Sequence, residues 1–281
     1  MKCIICSTIF KNENYLHKSF DNIKKIQSLF DKTKIIICYD NSGDNSLKEL
    51  CELKQLGFDI DIIINKKSRF NHHGGRAYNI AQARNQILNE IYNEDYDSNN
   101  PQAHTYLDYD YFIMCDLDDV FNVNMNIEIL QKYIPNKENK NKVIIGDNNN
   151  PNFNWDALSF YNKGYYDLWA LSIDDYQDSV WSMDNPLHIC KEMLTYLKEK
   201  IEKTTENLIK VDSAFNGFCI HRIDKFKDIK YQTATILNNN IIIDCEHRSF
   251  YKRANFCGLK IMMSKDCLFD DMKHIVKELY D

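Results

Sequence analysis

Along the first half of the chain, short unbroken apolar runs alternate with stretches in which apolar residues recur every three or four positions. The runs at 3–10, 34–39, 60–64 and 111–115 predict buried strands. The stretches at 16–30, 46–56 and 76–92 predict helices; in the last of these Ala77, Ile80, Ala81, Ala83, Ile87, Leu88 and Ile91 keep a helical spacing. Asn41-Ser-Gly-Asp44 punctuates the second strand with turn formers. Strand-helix alternation of this kind predicts an α/β protein with a mostly parallel sheet covered by helices. The polar, acidic stretch 93–110, which contains Pro101, reads as a surface excursion, and 136–142 as a solvated charged loop. The second half is more mixed. It offers short strands at 143–145, 157–160, 214–220 and 240–244, a polar amphipathic helix at 187–203 and a last helix near 270–280. With no internal repeat and no low-complexity linker, one continuous unit over 1–281 is the simplest organisation.

Composition narrows the functional classes. The 281 residues suffice for a large core, and 44% hydrophobic with 27% charged residues is an ordinary globular balance. A formal net charge of −6 without a basic block argues against nucleic-acid binding and suits a protein that recruits a cation. The ten cysteines sit largely inside apolar runs. Cys3 and Cys6 have C-x-x-C spacing, yet strand alternation points them to opposite faces and no second pair follows, so structural zinc is not indicated. Buried free thiols fit a reducing compartment. The N-terminal apolar run stops at Lys11-Asn-Glu13, no run approaches a membrane span, and no Asn is followed two places on by Ser or Thr. A cytoplasmic protein without a membrane span is the expectation.

The segment with the strongest chemical signal is Tyr111-Phe-Ile-Met-Cys-Asp-Leu-Asp-Asp119. An apolar strand ends abruptly in carboxylates, and in open α/β sheets ligands gather at the carboxyl ends of strands. Asp116 and Asp118, at i and i+2, can address one hard cation directly and through water, leaving positions for phosphate oxygens. Two enzyme classes use such a pair. GT-A glycosyltransferases hold a cation against the departing nucleoside diphosphate. Haloacid-dehalogenase-type phosphatases use the first Asp, here Asp116, as a nucleophile, and Met114-Cys-Asp-Leu-Asp-Asp-Val-Phe121 resembles their signature. Against the phosphatase stand the three strands that precede the motif. Ile144-Ile-Gly-Asp147 also follows too soon for the intervening phosphatase motifs.

The run Arg76-Ala-Tyr-Asn-Ile-Ala-Gln-Ala-Arg-Asn85, an acidic excursion and then a strand ending in D-x-D resemble the yeast Golgi mannosyltransferase family. Trp155-Asp-Ala-Leu-Ser-Phe160 with Tyr165-Tyr-Asp-Leu-Trp-Ala170 resembles the fungal capsule-associated mannosyltransferases. These motifs cover about 76–170, and the membrane anchor typical of those families is absent from this sequence. The resemblance implies a single GT-A type, Rossmann-like glycosyltransferase domain over 1–281. Residues 1–120 would form its nucleotide-sugar-binding half and 121–281 a mixed acceptor-binding half. It implies a hexosyltransferase using Mn2+ or Mg2+ and a nucleotide-sugar donor. The acceptor would be a glycan, a protein or a small molecule, and both a monomer and a homodimer stay open.

On that footing other positions acquire roles. Thr8, Asp40, Ser42, Arg76 and Arg84 join Asp116 and Asp118 as candidate donor contacts; Asp40 could accept hydrogen bonds from a base or ribose, or simply form a turn. Gly74-Gly75 permits close backbone approach. Either Arg could pair with phosphate, lock the aspartates, or lie on a helix surface. His72-His73 reads as a loop tip. Trp155, Tyr166, Asp167 and Trp169, with Asn216 and Gly217 of Ser213-Ala-Phe-Asn-Gly217, are the candidate acceptor contacts. The apolar run Ile241-Ile-Ile-Asp-Cys-Glu-His247 predicts a strand ending in polar groups. Glu246 is the first candidate for general base, with Asp212 and Asp156 in reserve, and His247 is the candidate third metal ligand. The plainer alternative pairs Glu246 with Arg248 and leaves His247 exposed. A chain that keeps the fold and only binds nucleotide sugar is the remaining alternative.

Overall fold

The structure is a computed structural model and describes residues 1–65, 75–92, 106–135, 151–176, 186–237 and 240–270. His72-His73, Gly74, the 136–142 loop, the 143–145 strand, the Gly-Asp pair at 146–147 and the helix expected beyond residue 270 lie outside them.

The opening strands and helices fall where the apolar rhythm places them. They are β1 (Lys2–Ile9), α1 (Leu16–Gln27), β2 (Lys32–Tyr39), α2 (Ser46–Gln55), β3 (Ile60–Ile64), α3 (Gly75–Tyr92) and β4 (Tyr111–Cys115). The second half contributes α4 (Ile127–Gln131), β5 (Ala157–Phe160), α5 (Pro186–Lys203), β6 (Leu208–Lys210), β7 (Phe218–Arg222), β8 (Ala234–Leu237), β9 (Asn240–Ile243), α6 (Glu246–Phe256) and β10 (Ile261–Ser264). Eight strands make one mostly parallel sheet in the order β3-β2-β1-β4-β7-β5-β10-β6, and β8 and β9 form a separate antiparallel ribbon. By its contacts the chain divides into two compact units, 1–122 with 220–231, and 123–219 with 232–281.

In the first unit β1 pairs in parallel with both β2 and β4, and β2 with β3. All five residues of β4 are buried, as a strand covered on both faces requires. Helix α1 turns Leu16, Phe20, Ile23 and Ile26 inward at helical spacing. Helix α3 packs on β1 and β2, and its buried Ala77, Ala81 and Ala83 let its backbone come close to the sheet.

In the second unit β10 pairs in parallel with β5 and antiparallel with β6. Two expectations change here. The strand expected over 214–220 begins only at Phe218, because Asn216 (φ 49°) and Gly217 (φ 79°) take left-handed conformations that break an extended chain. The strand expected over 240–244 exists as β9, but it belongs to the ribbon, and Glu246 and His247 open helix α6 instead of extending a strand.

Candidate functional site

The carboxylates at the end of β4 sit on a turn held from three directions within the first unit. Asn12, in the loop after β1, donates its side-chain amide to the Leu117 carbonyl at 2.8 Å. Asn22 of α1 donates to the Phe121 carbonyl at 2.7 Å. Arg84 of α3 reaches Asp116 Oδ1 with Nη2 at 3.0 Å. Leu117, Val120 and Phe121 are buried, so the turn is anchored by apolar side chains while its acids face outward to different degrees. Asp116 is 23% exposed against 4% for Arg84, and Asp119 is exposed.

Asp118 is half-buried and accepts the Val120 N–H at 3.1 Å, closing a small loop on itself. Burial, then the negative charges of Asp116 and Asp119, pushes its carboxyl up to about 7. A carboxylate crowded in this way by its own kind gains most from a neighbouring cation. Oxygen-only donors suit the hard ions Mg2+ and Mn2+, so the residues present fit a divalent metal. Among the described residues Asp116, Asp118 and Asp119 do not form a ready three-ligand cage. Phosphate oxygens and water would have to complete the shell, which is how such ions are commonly held. The grouping that does bring three such side chains together, His17 with Glu49 and Glu52, lies on the surfaces of α1 and α2, where Lys48 already pairs with Glu52.

The other expected donor contacts lie on neighbouring strand ends. Asp40, after β2, is 7% exposed and accepts the Asn65 amide at 3.0 Å; Asn65, after β3, in turn accepts from Gln86 of α3 at 3.0 Å. Asn65 and Gln86 carry no sequence signal as isolated amides, and only the folded strand ends show their link to Asp40. Thr8 is half-buried near the end of β1. Ser42 donates its hydroxyl to Asp44 and its backbone N–H to the Tyr39 hydroxyl oxygen at 3.1 Å. Arg76 lies exposed in the first turn of α3, whereas Arg84 is buried with its guanidinium 5.7 Å from the Tyr231 ring centre. Of the two arginines, the structure brings Arg84 to the aspartates.

The second unit contains the expected acceptor-side residues. Trp155 is 2% exposed and donates its indole N–H to the Asn152 carbonyl at 2.9 Å, so its ring belongs to the core and not to an open stacking face. Asn216 is also buried. Its amide donates to the carbonyls of Phe160 and Gly164 at 2.9 and 3.1 Å while its oxygen accepts the Tyr166 N–H at 3.0 Å. Asn216 therefore ties two loops together, and Gly217 lets the chain leave that tie. Tyr166, Asp167 and Trp169 are half-buried on the loop so held.

Helix α6 starts with Glu246, 5% exposed, and His247, 1% exposed. The His247 ring stacks on Phe215 with centroids 3.7 Å apart, and its Nε2 lies 3.9 Å from Glu246. The exposed histidine of the plainer alternative is thus not found. Arg248, fully buried, pairs with Asp244 at 3.1 Å and donates to the Leu171 carbonyl. Asp156 is taken up by the Lys260 N–H at 2.8 Å. Asp212 lines an open cleft of about 420 Å³ with Asp174, Lys200 and Glu206.

No protein-family model and no curated protein matches the sequence. Solved structures do match in shape. GalNAc-T7, crystallised with UDP, GalNAc and Mn2+, superposes with a TM-score of 0.52 at 11% identity, covering 94% of this chain and 42% of that one. The mannosyltransferase PcManGT from Pyrobaculum calidifontis, in complex with GDP-Man and Mn2+, gives 0.50 at 8% identity, covering 96% and 56%. The fold is of the GT-A type. The chain spans only about half the length of these neighbours, and at such identity the likeness concerns the GT-A fold alone.

Proposed function

We propose that this GT-A protein is a metal-dependent glycosyltransferase that moves a hexosyl group from a nucleoside-diphosphate sugar to an acceptor hydroxyl. The observation that carries the reading is the turn after β4, where Asp118 is pushed up to about 7 beside Asp116 and Asp119 at the carboxyl end of a buried strand. Asp116 and Asp118 would hold Mn2+ or Mg2+ between them. When bound, the ion would offset the charge that builds on the leaving diphosphate as the anomeric carbon becomes cationic.

The protein's own side chains set the rest. Arg84 keeps Asp116 oriented and charge-compensated. Asp40, steadied by Asn65, offers an acceptor to an N–H or O–H of the nucleoside. Tyr166, Asp167 and Trp169 are the half-buried groups proposed for the acceptor. Glu246, in the first turn of α6 where the helix N-terminus favours an anion, is the proposed base for the acceptor hydroxyl, with Asp212 in reserve.

The phosphatase reading is disfavoured by the chain order: β1, β2 and β3 all precede the strand that ends in Asp116, whereas the phosphatase signature usually opens its domain. The neighbours crystallised with UDP, GDP-Man and Mn2+ support the choice.

The test is a screen of nucleotide sugars with Mn2+ for nucleoside-diphosphate release by wild type, Asp118→Asn and Glu246→Gln. The proposal expects donor hydrolysis by wild type and by Glu246→Gln, but not by Asp118→Asn. Release from no donor, with cleavage of a simple phosphate ester abolished in Asp116→Asn, would replace it with the phosphatase.

A further inference from the structure

We infer that Asn12 is a positioning residue for the cation-binding turn. The inference rests on the glycosyltransferase reading above and adds a residue to it. Asn12 is 7% exposed and spends every polar group it has within the first unit. Its side-chain oxygen accepts the Phe10 N–H at 2.7 Å, its amide donates to the Leu117 carbonyl at 2.8 Å, and its backbone N–H donates to Ser46 Oγ at 2.9 Å. Ser46, the first residue of α2, passes the link on to Asp44 at 2.6 Å.

The chain is bent to make this possible. Lys11 takes a left-handed φ of 61°, a conformation a lysine adopts only where the surroundings enforce it. That bend lets the Asn12 side chain close back on Phe10 while reaching across to the turn after β4. The carbonyl it holds belongs to the residue between Asp116 and Asp118. Rotation of that peptide would swing the Asp118 side chain relative to Asp116, so the Asn12 bond fixes the angle at which the two acids present themselves. Asn22 holds the far side of the same turn, at Phe121, three residues beyond Asp118.

Asn12→Asp separates positioning from packing. The aspartate keeps the shape and the acceptor for Phe10 but cannot donate to Leu117. Asn162→Asp, in the second unit, likewise keeps an acceptor, for the Leu268 N–H, and loses a donor, to the Phe160 carbonyl, and is the control. Mn2+ affinity, measured calorimetrically with a nucleoside diphosphate present, should weaken about ten- to a hundredfold in Asn12→Asp, the range typical of lost outer-shell support. It should weaken less than threefold in Asn162→Asp, with both variants showing a similar drop in melting temperature. Unchanged affinity in Asn12→Asp, or an equal loss in both variants, overturns the inference.

A wild type that binds no Mn2+ sinks the glycosyltransferase reading instead. The deciding readout is then hydrogen exchange at the Val120 amide, which bonds to Asp118. Faster exchange in Asn12→Asp than in Asn162→Asp upholds Asn12 as the support of the turn, and equal rates overturn it.

Discussion

Arg84 Nη2 stands 3.0 Å from Asp116 Oδ1, so one of the two acids of the D-x-D pair already has a positive partner from the protein. Asp118, two residues on, is instead driven toward neutrality by burial and by its acidic neighbours. The two aspartates therefore sit in different electrostatic settings: Asp116 beside a guanidinium, Asp118 crowded by burial and by like charge.

Replacing Arg84 with Met should therefore disturb Asp118 as well as Asp116. With the guanidinium gone, the Asp116 charge is uncompensated, and the Asp118 carboxyl should titrate above its present value of about 7. Carbon NMR of the aspartate carboxyls checks the direction. Loss of one partner from a pair this buried on the Arg side should also cost about 1–3 kcal/mol in urea unfolding, less than for a wholly buried pair because Asp116 keeps some water.

The stability of the first unit should show two opposing pH dependences. His221, fully buried, lies face to face with Phe112 at 4.2 Å and edge-on to Phe226, and burial lowers its pKa to about 3. The unfolded chain takes up that proton near 6.5, so this contribution is present above pH 6.5 and is lost as pH falls toward 3. Asp118 acts oppositely. Its raised folded value makes its contribution complete below about pH 4 and lost as pH rises through about 7. Each has a limiting slope of about 1.4 kcal/mol per pH unit, so between pH 4.5 and 6.5 they largely cancel. His221→Leu should give stability that falls with pH across this window, and Asp118→Asn stability that rises. Urea midpoints at the two pH values measure both.

In the second unit the Asp244–Arg248 pair is closed off from water, with side-chain exposures of 3% and 0%. Asp244→Asn leaves a buried guanidinium without its carboxylate and should destabilise the protein by about 3–5 kcal/mol. Because the pair fixes the start of α6, Arg248→Lys should rescue little, since an ammonium cannot serve both Asp244 and the Leu171 carbonyl in the same geometry. Thermal unfolding compares the two variants.

The strands and helices through β4 were readable because their cores are apolar. Ile35, Ile36 and Ile37 of β2, or Leu16, Phe20 and Ile23 of α1, declare burial by type and spacing. Helix α6 escaped that reading because its inward face includes Glu246, His247 and Arg248, residue types a periodicity argument assigns to solvent. Trp155 and Asn216 show the opposite case: an indole and an amide of types suited to sugar contact bond to the Asn152 carbonyl and to loop backbone. Within the proposed site, a strand ending in acids singled out Asp116 and Asp118 as candidates. The supports Asn12, Asn22 and Asn65 were not legible, because an isolated asparagine has no period and its partners come from distant segments.

The measurement closest to the central claim is Mn2+ binding to wild type and to Asp118→Asn, each with and without UDP or GDP. The account predicts an ion bound more tightly when the nucleotide is present and a loss of at least tenfold in the variant. Equal binding by the two proteins, with the variant folded, would show that the acids after β4 do not hold the metal.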